Sequence, residues 1–88
     1  MMDFDSCDIP DYMRDGITLY VEHGILPGSF MTAVLENKLV QAVGHADDTN
    51  SRLLKNYAMF LYNEMPSQSW GSPEKVDKWA KARQKGQE

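Results

Sequence analysis

Apolar residues recur at spacings of three and four along most of this chain, which is the periodicity of one helical face. The first such set is Met13, Ile17, Tyr20 and Val21. Asp8 or Pro10 suits the start of a helix, and Gly24 suits its end because glycine readily adopts the left-handed conformation that closes helices. The pattern therefore predicts a first helix that begins at residue 8 or 10 and ends before Gly24.

The second helical region follows the turn at Pro27-Gly28. The hydroxyl of Ser29 is expected to cap the next helix. The apolar positions after it are Phe30, Ala33, Val34, Leu35, Leu39, Ala42, Val43 and Ala46. Asn37 falls within this run and has three interpretations: a bend, a cap between two short helices, or an exposed residue of one helix. We favour two short helices.

A cluster of capping residues, Asp47-Asp48-Thr49-Asn50, precedes the most apolar helix of the chain. Its apolar positions are Leu53, Leu54, Tyr57, Ala58, Phe60 and Leu61. The pattern continues to Asn63, and Pro66 then prevents the helix from continuing. This segment is predicted to be the central core helix.

The last helix is predicted to start at Ser72-Pro73, because serine caps helices and proline suits the first helical position. The amides of Glu74 and Lys75 would then be unpaired donors, which is an arrangement that suits an anion. The helix is expected to reach about Arg83, with these residues inward: Val76, Trp79 and Ala80.

Trp70 lies in the Ser/Gly/Pro-rich loop between the last two helices. A large aromatic residue in such a loop either packs over the end of the core or recognises a ligand or partner. We favour packing over the core, and a binding role remains the alternative.

The fold class predicted from these elements is all-α, because no sustained period-two run of β-branched or aromatic residues indicates a strand. Four to five short helices should form a compact, irregular bundle. The predicted organisation is a mobile acidic arm at residues 1–7, a single helical domain at 8–83 and a frayed tail at 84–88.

Composition fits a small globular protein of 88 residues, with 42% hydrophobic and 25% charged residues. No apolar run is long enough to span a bilayer, and the N-terminus is acidic, whereas a secretory signal is basic and then apolar. Cys7 is the only cysteine, so the chain forms no internal disulfide. We therefore expect a soluble, cytoplasmic protein that does not associate with membranes.

The net charge of -4 is unevenly distributed. Residues 1–48 hold nine acidic and two basic residues, whereas residues 49–88 hold four acidic and seven basic residues. Such asymmetry can steer a charged partner or favour head-to-tail association of copies, so a homo-oligomer is a further expectation. The negative total argues against non-specific binding of nucleic acid.

Several short motifs together resemble those of small, mostly uncharacterised proteins encoded by tailed bacteriophages and prophages. The motifs are Pro27-Gly28-Ser29-Phe30, Leu61-Tyr62-Asn63 and Trp70-Gly71-Ser72-Pro73, and the resemblance covers about residues 10–80. The chain departs from the pattern at His45, where arginine is more usual, and at Ser69, where cysteine is expected. The resemblance implies no enzymatic mechanism. It implies an accessory protein that acts on host or anti-phage defence components.

Catalytic and metal chemistry find little support in the sequence. Ser29 and Ser72 each follow a glycine, but neither lies in a G-x-S-x-G elbow. The two histidines, His23 and His45, have no second ligand at metal-binding spacing on the same helical face. We therefore predict a protein that is not an enzyme, with no catalytic residues, metal site or cofactor.

Two binding functions remain. The first is inhibition of a host or anti-phage defence protein through exposed aromatic and methionine side chains. The alternative is a sponge that sequesters a nucleotide-like anion at the two Gly-Ser loops, with Trp70 stacking on a base and lysines neutralising charge. The candidate residues are Gly28, Ser29, Phe30, Tyr62, Asn63, Trp70, Gly71, Ser72, Lys75 and Lys78.

Overall fold

Six α-helices and two short 3₁₀ turns make up the computed structural model, which describes residues 2–85 and contains no strand within that range. The helices are α1 (Asp11–His23), α2 (Ser29–Leu35), α3 (Leu39–His45), α4 (Asp48–Arg52), α5 (Leu54–Glu64) and α6 (Pro73–Lys85). The 3₁₀ turns are Asp5–Cys7 and Ser67–Ser69. The predicted all-α bundle of short helices is confirmed.

The helix count exceeds the predicted four to five because the predicted core helix is divided at Leu53. Asp47 caps α4 by accepting a hydrogen bond from the Asn50 amide at 2.7 Å, as the capping cluster predicted. The Leu53 amide then bonds to the Asn50 carbonyl at 3.1 Å, three residues back, which tightens the turn before α5 begins. Asn50 is buried, and its side-chain oxygen accepts a hydrogen bond from the Tyr57 hydroxyl. This polar contact ties α4 to α5 across the break.

The pair α2 and α3 confirms the two short helices favoured from sequence. Asn37 separates them with a φ of 64°, in the left-handed region that asparagine tolerates better than most residues. The Lys38 amide bonds to the Ala33 carbonyl at 2.9 Å across this turn. The turn folds α3 back so that it packs mainly against α2.

Gly24 ends α1 as predicted, with a φ of 71°. Its amide bonds to the Tyr20 carbonyl at 2.9 Å, and its own carbonyl accepts a hydrogen bond from Gln84 Nε2 at 2.8 Å. A Cβ atom at Gly24 would lie 2.3 Å from the Ala80 carbonyl oxygen. The absence of a side chain therefore allows the end of α1 to touch the backbone of α6.

The core lies where α1, α2, α5 and α6 meet. Its most deeply buried large side chains are Ile9, Ile17, Tyr20, Met31, Leu35, Tyr57, Phe60 and Val76. Tyr20 spans the core and donates its hydroxyl to the Ser69 carbonyl at 2.6 Å, so the loop after α5 is held against α1. A buried hydroxyl needs such an acceptor.

The burial of these phenols predicts alkaline destabilisation. Burial, with a contribution from the Glu36 charge, raises the pKa of Tyr20 to about 12. Burial also raises the pKa of Tyr57. The folded state therefore holds these protons more tightly than the unfolded state does. Their stabilisation is complete below pH ~10, the ordinary tyrosine pKa, and is lost as the pH rises toward the folded-state value.

We expect the free energy of unfolding to fall by about 2 kcal/mol between pH ~10 and ~12 through Tyr20 alone. Urea denaturation at a series of pH values measures this change. Tyr20→Phe should flatten the slope in that interval while lowering stability at neutral pH, because the bond to Ser69 is lost. An equal slope in Tyr20→Phe and the wild type would contradict the assignment.

The N-terminal segment makes contacts that the acidic-arm prediction did not anticipate. Phe4 stacks on Phe60 with ring centroids 5.1 Å apart, and Cys7 is buried in the core. Arg14 forms an ion pair with Asp5 at 2.9 Å and lies over the Phe4 ring. Residues 2–7 thus pack against α1 and α5, because Phe4 and Cys7 supply apolar surface between the acidic residues.

The C-terminal boundary also differs from the prediction. Helix α6 continues through Gln84 to Lys85, and the bond from Gln84 to Gly24 attaches its last turn to α1. The remainder of the predicted frayed tail, residues 86–88, lies outside the described residues.

Candidate functional site

The first predicted binding loop does not have the expected arrangement. Phe30 is buried and meets Tyr57 edge-on, with ring centroids 5.1 Å apart, so it is a core residue and not a binding residue. Ser29 is the first residue of α2, and its side chain makes no capping bond. Gly28 occupies the N-cap position instead, and its carbonyl accepts the Thr32 amide at 3.0 Å. The predicted serine cap at this loop is wrong.

The second loop folds as predicted at the start of α6. The Ser72 hydroxyl accepts the Lys75 amide at 3.2 Å, and Pro73 is the first helical residue. Gly71 has a φ of 120° and donates its amide to the Leu35 carbonyl at 2.8 Å, which fastens the loop to α2. Because Ser72 already satisfies the Lys75 amide, that group is not the free anion donor that the sequence suggested.

The predicted binding residues around the two Gly-Ser loops line different cavities. Ser29 borders an open depression of about 290 Å³ together with Glu36 and His45. Lys75 and Lys78 border a separate cleft on α6. No hydrogen bond joins Ser29 to His45 among the described residues, so the serine lacks the contact to a base that a nucleophile requires. The structure therefore does not assemble the two loops into one site.

Trp70 is half-buried and packs against the core, and it also lines an apolar groove of about 160 Å³. The groove residues are Val34, Asn37, Lys38, Leu39, Ala42, Leu54, Ala58, Leu61 and Trp70. The indole Nε1 atom is buried and has no hydrogen-bond acceptor among the described residues. An unsatisfied buried donor costs about 1 to 3 kcal/mol.

Helix α3 borders this groove and exposes most of its apolar side chains. Leu39, Val40 and Val43 are 68%, 85% and 46% exposed, whereas Ala42 is the buried residue of the helix. The sequence predicted Leu39, Ala42 and Val43 at helical spacing, and the structure buries only Ala42 among them, because α3 packs mainly on α2 and leaves its other faces open. We call the groove together with these three exposed side chains the α3 surface.

Two predicted residues of α5 are also exposed. Tyr62 is 80% exposed and lies one turn after Ala58, which lines the groove. Asn63 is exposed beside it. Tyr62 is thus placed to extend the α3 surface along α5, and neither residue lines the cleft on α6.

The cleft on α6 contains the two predicted lysines and four residues that were not among the predicted binding residues. Its volume is about 720 Å³, and its lining residues are Gln68, Lys75, Lys78, Trp79, Ala82 and Arg83. Arg83 lies over the Trp79 ring, with its guanidinium carbon 4.0 Å from the ring centroid. In the sequence, the i, i+4 spacing of Trp79 and Arg83 indicates this contact, because that spacing brings side chains together on a helix.

Other polar contacts have structural explanations. Tyr12 donates its hydroxyl to Asp47 at 2.8 Å. A hydrogen bond from the Asn50 amide and a weaker effect of the Tyr12 hydroxyl lower the pKa of Asp47, as expected for a capping carboxylate.

Within residues 2–85, no group of three or more potential ligand side chains could hold a metal ion. The same residues include no helix with the length and apolar character needed to cross a membrane.

Comparison with known proteins finds no matching family model, no similar curated protein and no matching solved structure. The geometry of the α3 surface and of the α6 cleft therefore carries the functional interpretation.

Proposed function

We propose that the protein acts by binding another protein through the α3 surface. The observation that carries this proposal is the exposure of Leu39, Val40 and Val43 on a seven-residue helix. Exposing neighbouring aliphatic side chains to water is unfavourable, and such patches commonly mark interaction sites. Burial of this surface by a partner would remove that cost.

The groove beside α3 indicates how a partner would dock. Its walls come from α2, α3 and α5, and apolar side chains such as Leu54 and Leu61 line them. A volume of about 160 Å³ suits an apolar anchor side chain rather than a whole cofactor. Amphipathic helices bind in this way, laying apolar anchors into a groove between helices. We infer that the partner contributes such a segment.

The proposed partner is a host or anti-phage defence protein, and the proposed effect is inhibition. The support is the resemblance of the Pro27-Gly28-Ser29-Phe30 and Trp70-Gly71-Ser72-Pro73 motifs to small proteins of bacteriophages and prophages. A non-catalytic protein of this size inhibits most simply by occupying the surface that its target uses for another contact.

The double variant Val40→Glu/Val43→Glu tests the proposal. Both residues are exposed, and glutamate has a better helix propensity than valine, so the fold should be retained. Two charges on the α3 surface should lower partner affinity about tenfold or more. Gentle purification from bacterial lysate followed by native mass spectrometry measures the partner retained by each protein.

Leu19→Glu/Ile25→Glu is the matched control, because it adds the same charge at two other exposed aliphatic residues, away from the groove. The control should retain the partner at the level of the wild type. Equal retention by both double variants would contradict the α3 surface as the binding site. If the wild type and the control form a homodimer and the α3 double variant does not, the surface instead binds a second copy of the chain.

A further inference from the structure

The cleft between the Ser67–Ser69 turn and α6 is distinct from the α3 surface and has a different chemistry. Three of its lining residues are cationic: Lys75, Lys78 and Arg83. Its volume of about 720 Å³ is within the range of sites that bind small molecules. The groove of the α3 surface is lined mainly by apolar side chains.

The three cations lack carboxylate partners. Among residues 2–85, no acidic side chain lies within ion-pair distance of Lys75, Lys78 or Arg83. Lys81 on the same helix, by contrast, pairs with Asp77 at 2.9 Å. The positive charge in the cleft is therefore unneutralised within the described part of the chain, although the protein as a whole has a net charge of -4.

Arg83 is held in position by its aromatic neighbour. Trp79 donates its indole N–H to the Tyr20 carbonyl at 3.3 Å, which fixes the ring against α1. The Arg83 guanidinium then stacks on this ring at 4.0 Å. Stacking restricts the side chain while leaving its N–H edge available, and the planar guanidinium matches the oxygens of a phosphate group.

The spacing of the cations indicates more than one anionic group on the ligand. Lys75 and Arg83 are eight residues apart on α6, a rise of about 12 Å along the helix, and Lys78 lies between them. We propose that this cleft binds a small ligand that carries two or more phosphate groups. Arg83 holds one phosphate through paired N–H donors, and Lys75 and Lys78 neutralise the others.

Calorimetric titration of the whole protein with tripolyphosphate and with ATP, near physiological ionic strength, tests this proposal. Both probes should bind saturably. Arg83→Gln and Lys78→Gln should each weaken binding about tenfold, because each removes a charge-assisted contact. Similar affinities for the two probes would show that the phosphate chain is recognised, whereas tighter binding of ATP would show that the nucleoside contributes as well. Either result supports the proposal.

Lys81→Gln is the matched control, since it removes one positive charge from the same helix outside the cleft. It should change the affinity less than about twofold. Thermal unfolding of each variant confirms that the exposed substitutions leave the fold intact. The proposal is overturned if the wild type binds neither probe, or if Lys81→Gln weakens binding as much as Arg83→Gln does.

Discussion

Gly24→Ala is expected to lower the free energy of unfolding by about 3 kcal/mol or more. Gly24 has a φ of 71°, and a residue with a Cβ atom costs about 1 to 2 kcal/mol in that left-handed conformation. The added Cβ would also lie 2.3 Å from the Ala80 carbonyl oxygen and 2.9 Å from Arg83 Cβ. Helix α6 must shift to relieve this contact, so the packing of α1 against α6 is weakened.

Urea denaturation measures the effect, and Gly44→Ala is the matched control. Gly44 lies inside α3 with an ordinary φ, and the Cβ atom of an alanine there would meet only open space. Alanine at this position should be neutral or stabilise the protein by up to about 1 kcal/mol, because it has the higher helix propensity. If Gly24→Ala denatures at the wild-type midpoint, the close contact between α1 and α6 is not present in solution.

Phe60→Ala is expected to cost about 3 to 5 kcal/mol, as truncation of a buried phenylalanine usually does. Phe60 is fully buried on α5, and its ring stacks on Phe4. The substitution would leave a cavity in the core and remove the surface on which the N-terminal segment packs. Residues 2–7 should therefore lose protection together with the core.

Hydrogen exchange and urea denaturation measure the two parts of this prediction. Met59→Ala is the control, because Met59 is adjacent on α5 but half-exposed. Its effect should stay within about 0.5 kcal/mol. A Phe60→Ala variant with wild-type stability would show that α5 is not central to the core. Retained protection of residues 2–7 would show that Phe4 does not hold the N-terminal segment.

The sequence predicted the helix boundaries best where one residue controls the local backbone. Gly24 ends α1, Asp47 caps α4, and Ser72 caps α6 through its hydroxyl. These signals act over a few residues and can therefore be recognised in the sequence without knowledge of the fold. The break at Leu53 could not be predicted, because it accompanies a buried contact between Asn50 and Tyr57 that forms only in the folded chain.

The candidate sites were harder to predict because they depend on which helical faces are covered. Periodicity grouped Leu39 and Val43 with Ala42 at helical spacing, but it does not specify which faces of α3 other helices cover. Phe30 was predicted both as an apolar position of the second helix and as a binding residue, and the fold buries its ring against Tyr57. Lys75 and Lys78, grouped by their spacing in the sequence, line one cleft, whereas the aromatic residue in that cleft is Trp79 and not the loop residue Trp70.

The most direct measurement of partner binding at the α3 surface is site-specific photocrosslinking in bacterial cells. One variant carries a photoreactive residue in place of Val40, and a control variant carries it in place of Leu19, which is exposed on α1. We expect a discrete crosslinked complex with a partner protein from position 40 and none from position 19. Absence of a crosslink at position 40, or the same products from both positions, would contradict a binding role for the α3 surface.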